Sequence, residues 1–89
     1  MQILDYNLKM TCVACPEQYD VFDSEGKQVG YLRLRHGEFR ADYPDCGGDT
    51  VYRYSFDDAW KGIFDDEERE KYLTEAVKAI HNKIQLEKE

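Results

Sequence analysis

Residues 28–55 read QVGYLRLRHGEFRADYPDCGGDTVYRYS, and this segment decides the fold. It contains three runs of alternating side chains rich in β-branched and aromatic residues, a pattern typical of β-strands. The dipeptide His36-Gly37 lies between the first two runs, where a two-residue hairpin turn is expected. A second turn is expected over residues 44–49, because Pro, Asp and paired Gly residues favour turns. The segment therefore predicts three consecutive antiparallel strands.

The register of this hairpin sorts the side chains into two faces, because successive residues of a strand point to opposite sides. With His36 and Gly37 as the turn, Arg33 lies opposite Arg40. An apolar face then carries Leu32, Leu34, Phe39, Ala41 and Tyr43. The other face carries Tyr31, Arg33, Arg35, Glu38, Arg40 and Asp42. Pairing Tyr43 with Thr50 adds the third strand and brings Arg53 opposite Arg40, so three arginines form a row across the sheet.

Two further strands are predicted upstream, over residues 2–10 and 18–23. A turn at 23–26 that pairs Asp23 with Lys27 connects the second of them to the central segment. With this register the arginine-bearing face also receives apolar side chains, namely Tyr19, Val21, Val29, Tyr31 and Val51.

One helix is predicted at the C-terminal end, over residues 66–86. Asp65 is a suitable N-cap and Glu68 stands three residues later, as in a capping box. An apolar stripe at helical spacing follows, formed by Leu73, Ala76, Val77, Ile80 and Ile84. The sequence predicts a single α+β domain over residues 1–89, with a four- or five-stranded antiparallel meander sheet and this helix packed across the apolar face.

Composition limits the possible partners. The 89 residues carry 19 acidic and 12 basic side chains, a net charge of −7, which argues against general affinity for nucleic acid or anionic membranes. No apolar run approaches the roughly 20 residues that span a bilayer, and Asp5 interrupts any signal-peptide core. Three cysteines, an odd number, are typical of reduced thiols. We therefore expect a cytoplasmic protein that does not bind membranes.

Three motifs in this chain also occur together elsewhere. They are YLRLRHG at 31–37, followed by Phe39 and by YP at 43–44 and GG at 47–48; AWKG at 59–62; and an acidic helix start. In these motifs the chain resembles a group of small uncharacterised proteins encoded by Gram-positive bacteria and their phages and mobile elements. The resemblance covers residues 19–84. It implies a similar strand–turn–strand block, Trp loop and helix, and it brings no established activity.

The arginine row has a functional and a structural interpretation. Like charges opposite one another disfavour a sheet by up to about 1 kcal/mol per pair, so something must compensate. An acidic partner could do so, and so could a surface lattice of carboxylates such as Glu38 and Asp42. In a lattice, Arg40→Ala should change stability by less than about 0.5 kcal/mol. The candidate partner-binding residues are Tyr19, Tyr31, Arg33, Arg35, Arg40, Arg53 and Trp60.

The cysteines raise the possibility of a metal site. Cys12 and Cys15 have the C-x-x-C spacing of half a zinc site, and Cys46 could add a third ligand. A redox role would place this motif at the start of a helix, and none is predicted there. Free thiols and no cofactor are the simpler interpretation, with zinc as the alternative.

Acidic residues cluster at 57–58 and 65–68, around Trp60. They complement the helix dipole, or they imitate nucleic-acid phosphate as in small phage inhibitors of host nucleases. No phosphate loop, nucleophile elbow or zinc-protease motif is present in the sequence, so we expect no enzyme. The favoured function is a non-enzymatic interaction module derived from a phage or mobile element. Its uncovered sheet face would bind a protein partner or a second copy of itself. The alternatives are a zinc-stabilised domain and a nucleic-acid-mimicking inhibitor.

Overall fold

Six antiparallel strands and one helix form the fold in this computed structural model, which describes residues 1–12 and 16–88, with residue 12 described by its backbone only. The strands are Gln2–Ile3 (β1), Tyr6–Cys12 (β2), Glu17–Phe22 (β3), Gln28–Arg35 (β4), Glu38–Tyr43 (β5) and Asp49–Ser55 (β6), and the helix is Asp66–Lys88 (α1). The strands follow one another in chain order across the sheet. The predicted α+β meander with a C-terminal helix is confirmed. It has six strands because the predicted N-terminal strand turns back at Leu4, whose φ is +54°.

The β4–β5 hairpin has the predicted register, with Arg33 opposite Arg40 and Leu34 opposite Phe39. His36 and Gly37 have φ of +52° and +76°, as a type I′ turn requires. Gly37 is also required for packing, because a Cβ there would collide with the carbonyl oxygen of Asp58. This turn thus supports the loop that precedes the helix.

The β5–β6 pairing is confirmed in its central part, where Arg40 lies opposite Arg53 and Ala41 lies opposite Tyr52. The pairing shifts by one residue at the end of the hairpin. There Asp42 lies opposite Thr50, and Val51 is the additional residue. A bulge of this kind is common at a sheet edge, and β6 is an edge strand.

The predicted β3–β4 register is wrong by one residue. Val21 lies opposite Gly30 and Tyr19 lies opposite Leu32, because the pairing is irregular between Val21 and Phe22. A one-residue shift moves every side chain to the other face. Gly30 has a physical reason to occupy this place, since a Cβ there would collide with the side chain of Ile80 on the helix.

The helix begins as predicted. The backbone N–H of Asp65 donates to Glu68 Oε1 over 3.1 Å, which is one half of a capping box. The helix runs two residues beyond the predicted end. Its apolar stripe covers the side of the sheet that we call the helix face. The fully buried side chains there include Leu32, Leu34, Phe39, Ala41, Leu73, Ala76, Val77 and Ile80. Complete burial of one such large aliphatic side chain stabilises a fold by about 1.5–3 kcal/mol.

Candidate functional site

The opposite side of the sheet carries four of the five arginines of the chain. We call it the arginine face; its residues are Tyr31, Arg33, Arg35, Glu38, Arg40, Asp42 and Arg53. Arg33, Arg40 and Arg53 form the predicted row on three adjacent strands. Neighbouring strands lie about 4.8 Å apart, so the row places three cationic side chains within a span of about 10 Å.

Among the described residues, carboxylates compensate two of these four arginines. Arg40 Nε lies 3.3 Å from Asp42 Oδ1, and Arg53 Nε lies 3.7 Å from Glu38 Oε2. In the described part of the chain, neither Arg33 nor Arg35 has a carboxylate oxygen within 4.0 Å of its guanidinium nitrogens. A lattice of ion pairs therefore accounts for Arg40 and Arg53 and leaves the β4 pair uncompensated.

Tyr31 is the aromatic residue of this face. It is only 9% exposed, and its hydroxyl donates to Gln18 Oε1 on the neighbouring strand. Burial raises the pKa of Tyr31, so the hydroxyl stays protonated at neutral pH. The ring is therefore fixed beside the arginines and largely hidden from solvent.

The apolar patch expected beside the arginines does not exist as predicted. Tyr19, Val21 and Val29 belong to the core on the helix face, with exposures of 2%, 0% and 5%. Val51 also packs against that core from its edge. Because of the register shift in β3, Tyr19 is removed from the candidate binding residues, and the arginine face is largely polar.

Tyr19 instead contacts a buried carboxylate that the sequence did not reveal. Glu17 is 2% exposed and accepts hydrogen bonds from the Tyr19 hydroxyl (2.6 Å), the Phe64 N–H (3.0 Å) and Arg69 Nε (2.8 Å). Arg69 also donates to the carbonyl oxygen of Phe64 over 2.9 Å. Glu17 alternates with Tyr19 and Val21, so a correct β3 register would have shown that Glu17 points into the core.

The electrostatics of this cluster hold the carboxylate ionised. Burial alone would raise the pKa of Glu17, but the hydrogen bonds from Arg69, Tyr19 and Phe64 outweigh it and lower the pKa. Burial and the hydrogen bond to Glu17 raise the pKa of Tyr19 in turn. The cluster connects β3 to the loop that precedes the helix and to the first turns of the helix, which is a structural role.

Trp60 lies on the loop between β6 and the helix and is 83% exposed. The loop is fixed at several points: Gly37 N–H donates to the Lys61 carbonyl oxygen (2.8 Å), and Glu17 N–H donates to that of Gly62 (2.8 Å). Asp58 Oδ1 accepts the Trp60 N–H over 2.9 Å, which gives Asp58 a role in the turn. The indole is thus held in solvent by an ordered backbone.

Segment 57–70 forms a second charged surface, which we call the acidic end. Its exposed carboxylates are Asp57, Asp58, Asp65, Asp66, Glu67 and Glu70. Its two basic residues have internal partners. Lys61 Nζ lies 2.7 Å from Glu68 Oε1, and Arg69 contacts Glu17 and Asp66. The side chain of Ile63, 50% exposed, lies in the same segment as Trp60.

The cysteines do not come together as a three-cysteine metal site requires. Cys12 lies on β2 opposite Gln18, three strands from β5, and Cys46 follows the far end of β5. The two backbones are therefore separated by about 14 Å across the strands alone, whereas zinc ligands lie about 2.3 Å from the metal. Cys15 lies outside the described residues. Cys46 is an exposed free thiol, and the described residues contain no group of three His, Cys, Asp or Glu side chains that could hold a metal.

A cleft of about 500 Å³ lies near the C-terminus of the helix, between the helix and the β3–β4 turn. The Tyr6 hydroxyl and His81 Nδ1 lie 2.8 Å apart at its wall. Desolvation raises the pKa of Tyr6, and the nearby carboxylates of Asp23 and Asp5 add to this effect. His81 thus contributes to packing between the helix and β2.

Comparisons with known proteins give no further assignment. No protein-family model matches the chain, and no curated protein or solved structure is significantly similar to it. The group resemblance based on residues 19–84 stays a prediction. None of the helices within the described residues is both long and apolar enough to cross a membrane.

Proposed function

We propose that this protein is a non-enzymatic interaction module that binds an acidic protein partner through its arginine face. The contact residues are Arg33, Arg35, Arg40 and Arg53, which lie around the largely buried Tyr31, with Trp60 at the adjoining end. One observation carries the proposal: Arg33 and Arg35 lie side by side on β4 without a carboxylate within 4.0 Å in the described chain. A partner that supplies carboxylates there would relieve the repulsion within the row.

The chemistry of the face favours a protein over a nucleic acid. Arg and Tyr are enriched at protein interfaces, and the guanidinium group binds carboxylates in two-point geometry. Phosphate backbones would also attract arginines, but the remaining surface of a chain with net charge −7 would repel a polyanion that extends beyond the face. A short acidic protein segment avoids this repulsion.

The cellular context is part of the same proposal. We place the protein in the cytoplasm, where the exposed thiol of Cys46 would stay reduced. An origin in a phage or mobile element, indicated by the group resemblance, is consistent with a small binding protein directed at a host component.

Affinity capture from a host lysate tests the proposal. The bait proteins are the wild type, a variant with Arg33→Ala and Arg35→Ala, and a matched control with Lys27→Ala and Lys78→Ala. The control removes the same charge from exposed positions outside the face. Loss of one charge-assisted hydrogen bond weakens binding by about 1.5–3 kcal/mol, or more than tenfold. We expect the arginine variant to lose an acidic partner that the control retains.

Two results would contradict the proposal. Equal recovery of every partner by the arginine variant would exclude a role for this face. Capture of a basic nuclease that depends on Asp57 and not on Arg33 would favour the nucleic-acid-mimicking alternative.

A further inference from the structure

The chain displays two surfaces of opposite charge. On the arginine face, Arg33 and Arg35 have no carboxylate within 4.0 Å among the described residues. On the acidic end, six carboxylates are exposed while both basic residues of the segment are occupied internally. In the part of the chain that the structure describes, each surface therefore carries charges without an ion-pair partner, and the other surface provides the opposite charge.

The acidic end also offers an anchor for binding. Trp60 is 83% exposed and Ile63 is 50% exposed, and the backbone of their loop is held by hydrogen bonds to Gly37 and Glu17. Trp and Arg are the residues most enriched at binding hot spots, and an arginine above an indole gains cation–π attraction. A preordered loop also loses little conformational entropy when it binds.

We infer that the occupant of the arginine face is a second copy of this chain, which inserts its acidic end with Trp60 against Arg33 and Arg35. This inference deepens the proposed function and rests on it. The contact joins two unlike surfaces, so a pair of copies retains one free surface of each kind and further copies can add head to tail. The contact is electrostatic at its rim and should weaken as salt shortens the Debye length from about 10 Å at 0.1 M to about 3 Å at 1 M.

Complementation between two charge-reversal variants tests the inference. The first variant carries Arg33→Glu and Arg35→Glu and keeps a normal acidic end. The second carries Asp57→Lys and Glu67→Lys and keeps a normal arginine face. A matched control carries Asp45→Lys and Glu87→Lys, exposed positions outside both surfaces. Circular dichroism verifies that all three are folded, and sedimentation velocity at rising concentration gives their masses.

We expect the wild type and the control to associate at low salt, and each charge-reversal variant to remain monomeric. An equimolar mixture of the two variants should associate again, because the acidic end of the first variant fits the arginine face of the second, and the new glutamates of the first face the new lysines of the second. Trp60→Ala should weaken wild-type association at least tenfold, and 1 M salt should abolish it.

Three results would overturn the inference: a wild type that is monomeric up to about 1 mM, association that survives Arg33→Glu with Arg35→Glu, or variants that stay monomeric when mixed. The proposed function fails separately, when neither capture from lysate nor self-association depends on Arg33 and Arg35. Arginine-dependent capture of another protein by a chain that stays monomeric would therefore overturn the second copy and retain the interaction module.

Discussion

Glu17 and Asp42 are both 2% exposed and both contact an arginine, yet they lie on opposite faces of the same sheet. Glu17, on the helix face, takes its hydrogen bonds from residues up to 52 positions away, on the loop and the helix. Asp42, on the arginine face, takes its contacts from its own hairpin and loop: Arg40, Gly47 and Thr50. The first carboxylate connects distant parts of the fold, whereas the second organises a local turn.

The difference explains why only one face has charge available for binding. Arg69 is fully engaged, because it contacts Glu17, Asp66 and the Phe64 carbonyl oxygen. Within residues 1–12 and 16–88, the arginine face has two carboxylate partners for its four arginines. A buried ion pair with all its hydrogen bonds satisfied contributes to folding, whereas Arg33 and Arg35 remain accessible for a partner.

Glu17→Ala should have the largest effect on stability. The change leaves Arg69 and the Phe64 N–H without their carboxylate, and breaking a buried ion pair usually destabilises a protein by about 3–5 kcal/mol. The Arg69 side chain is 22% exposed, so water can solvate it in part, and we expect about 3 kcal/mol. In a domain of this size that corresponds to a melting temperature lower by at least about 12 °C.

Thermal unfolding followed by circular dichroism measures this effect, since Trp60 is already exposed and is a weak fluorescence reporter. Glu70→Ala, which removes an exposed carboxylate from the same helix, is the control and should change stability by less than about 0.5 kcal/mol. If the two variants melted at the same temperature, the Glu17 cluster would not stabilise the fold.

The contrast between local and distant contacts also explains what the sequence could predict. The β4–β5 register was predictable because a two-residue turn fixes it, and the capping box was predictable because Asp65 and Glu68 are three residues apart. The arginine row followed from these local rules. The Arg33–Arg40 pair needed only the turn and the side-chain alternation.

The β3–β4 pairing was not predictable from the same rules. The turn itself forms, with Asp23 N–H bonded to the Lys27 carbonyl oxygen, but an irregularity after Val21 shifts the strand. That shift is favourable because Gly30 accommodates Ile80, which is 50 residues further along the chain. Tyr19 was assigned to the wrong face for this reason, and Glu17 was missed because its partners lie equally far away.

Acid should weaken the connection that Glu17 makes between β3, the loop before the helix and the helix start. The pKa of Glu17 lies below its ordinary value of 4.5, so the ionised carboxylate stabilises the fold above that pH. This contribution is lost as the pH falls through the lowered folded-state value, because protonation then removes the ion pair. The stability lost on protonation is smaller than that lost in Glu17→Ala, because the protonated side chain still occupies the same space.

Chemical denaturation at a series of pH values from 7 to 3 measures this loss, with Glu17→Gln as the reference that cannot titrate. The wild type should be more stable than the variant at pH 7, and the difference should shrink at low pH. The other carboxylates titrate in both proteins and cancel. A difference that is constant over the whole range would show that Glu17 is not the titrating group.

Arg40→Ala and Arg53→Ala should have the smallest effects on stability. Which of the two variants loses more stability tests how the charges of the arginine face are compensated. The sequence predicts less than about 0.5 kcal/mol for Arg40, but Asp42 beside it has a side chain only 3% exposed. Without the guanidinium, Asp42 keeps only its contacts with Thr50 (2.9 Å) and Gly47 (3.4 Å), so we now expect a loss of about 1–2 kcal/mol.

Arg53 contacts a Glu38 side chain that is 41% exposed, and its removal should cost less than about 0.5 kcal/mol. Arg40 has an arginine on both sides and Arg53 has one neighbouring arginine, so Arg40→Ala relieves more repulsion. A larger loss of stability for Arg40→Ala in spite of this relief therefore reports on Asp42. Urea unfolding of the two variants measures that difference. A larger loss for Arg53 would mean that the repulsion within the row outweighs the ion pair with Asp42, as expected if Arg40 belongs to the proposed partner-binding surface.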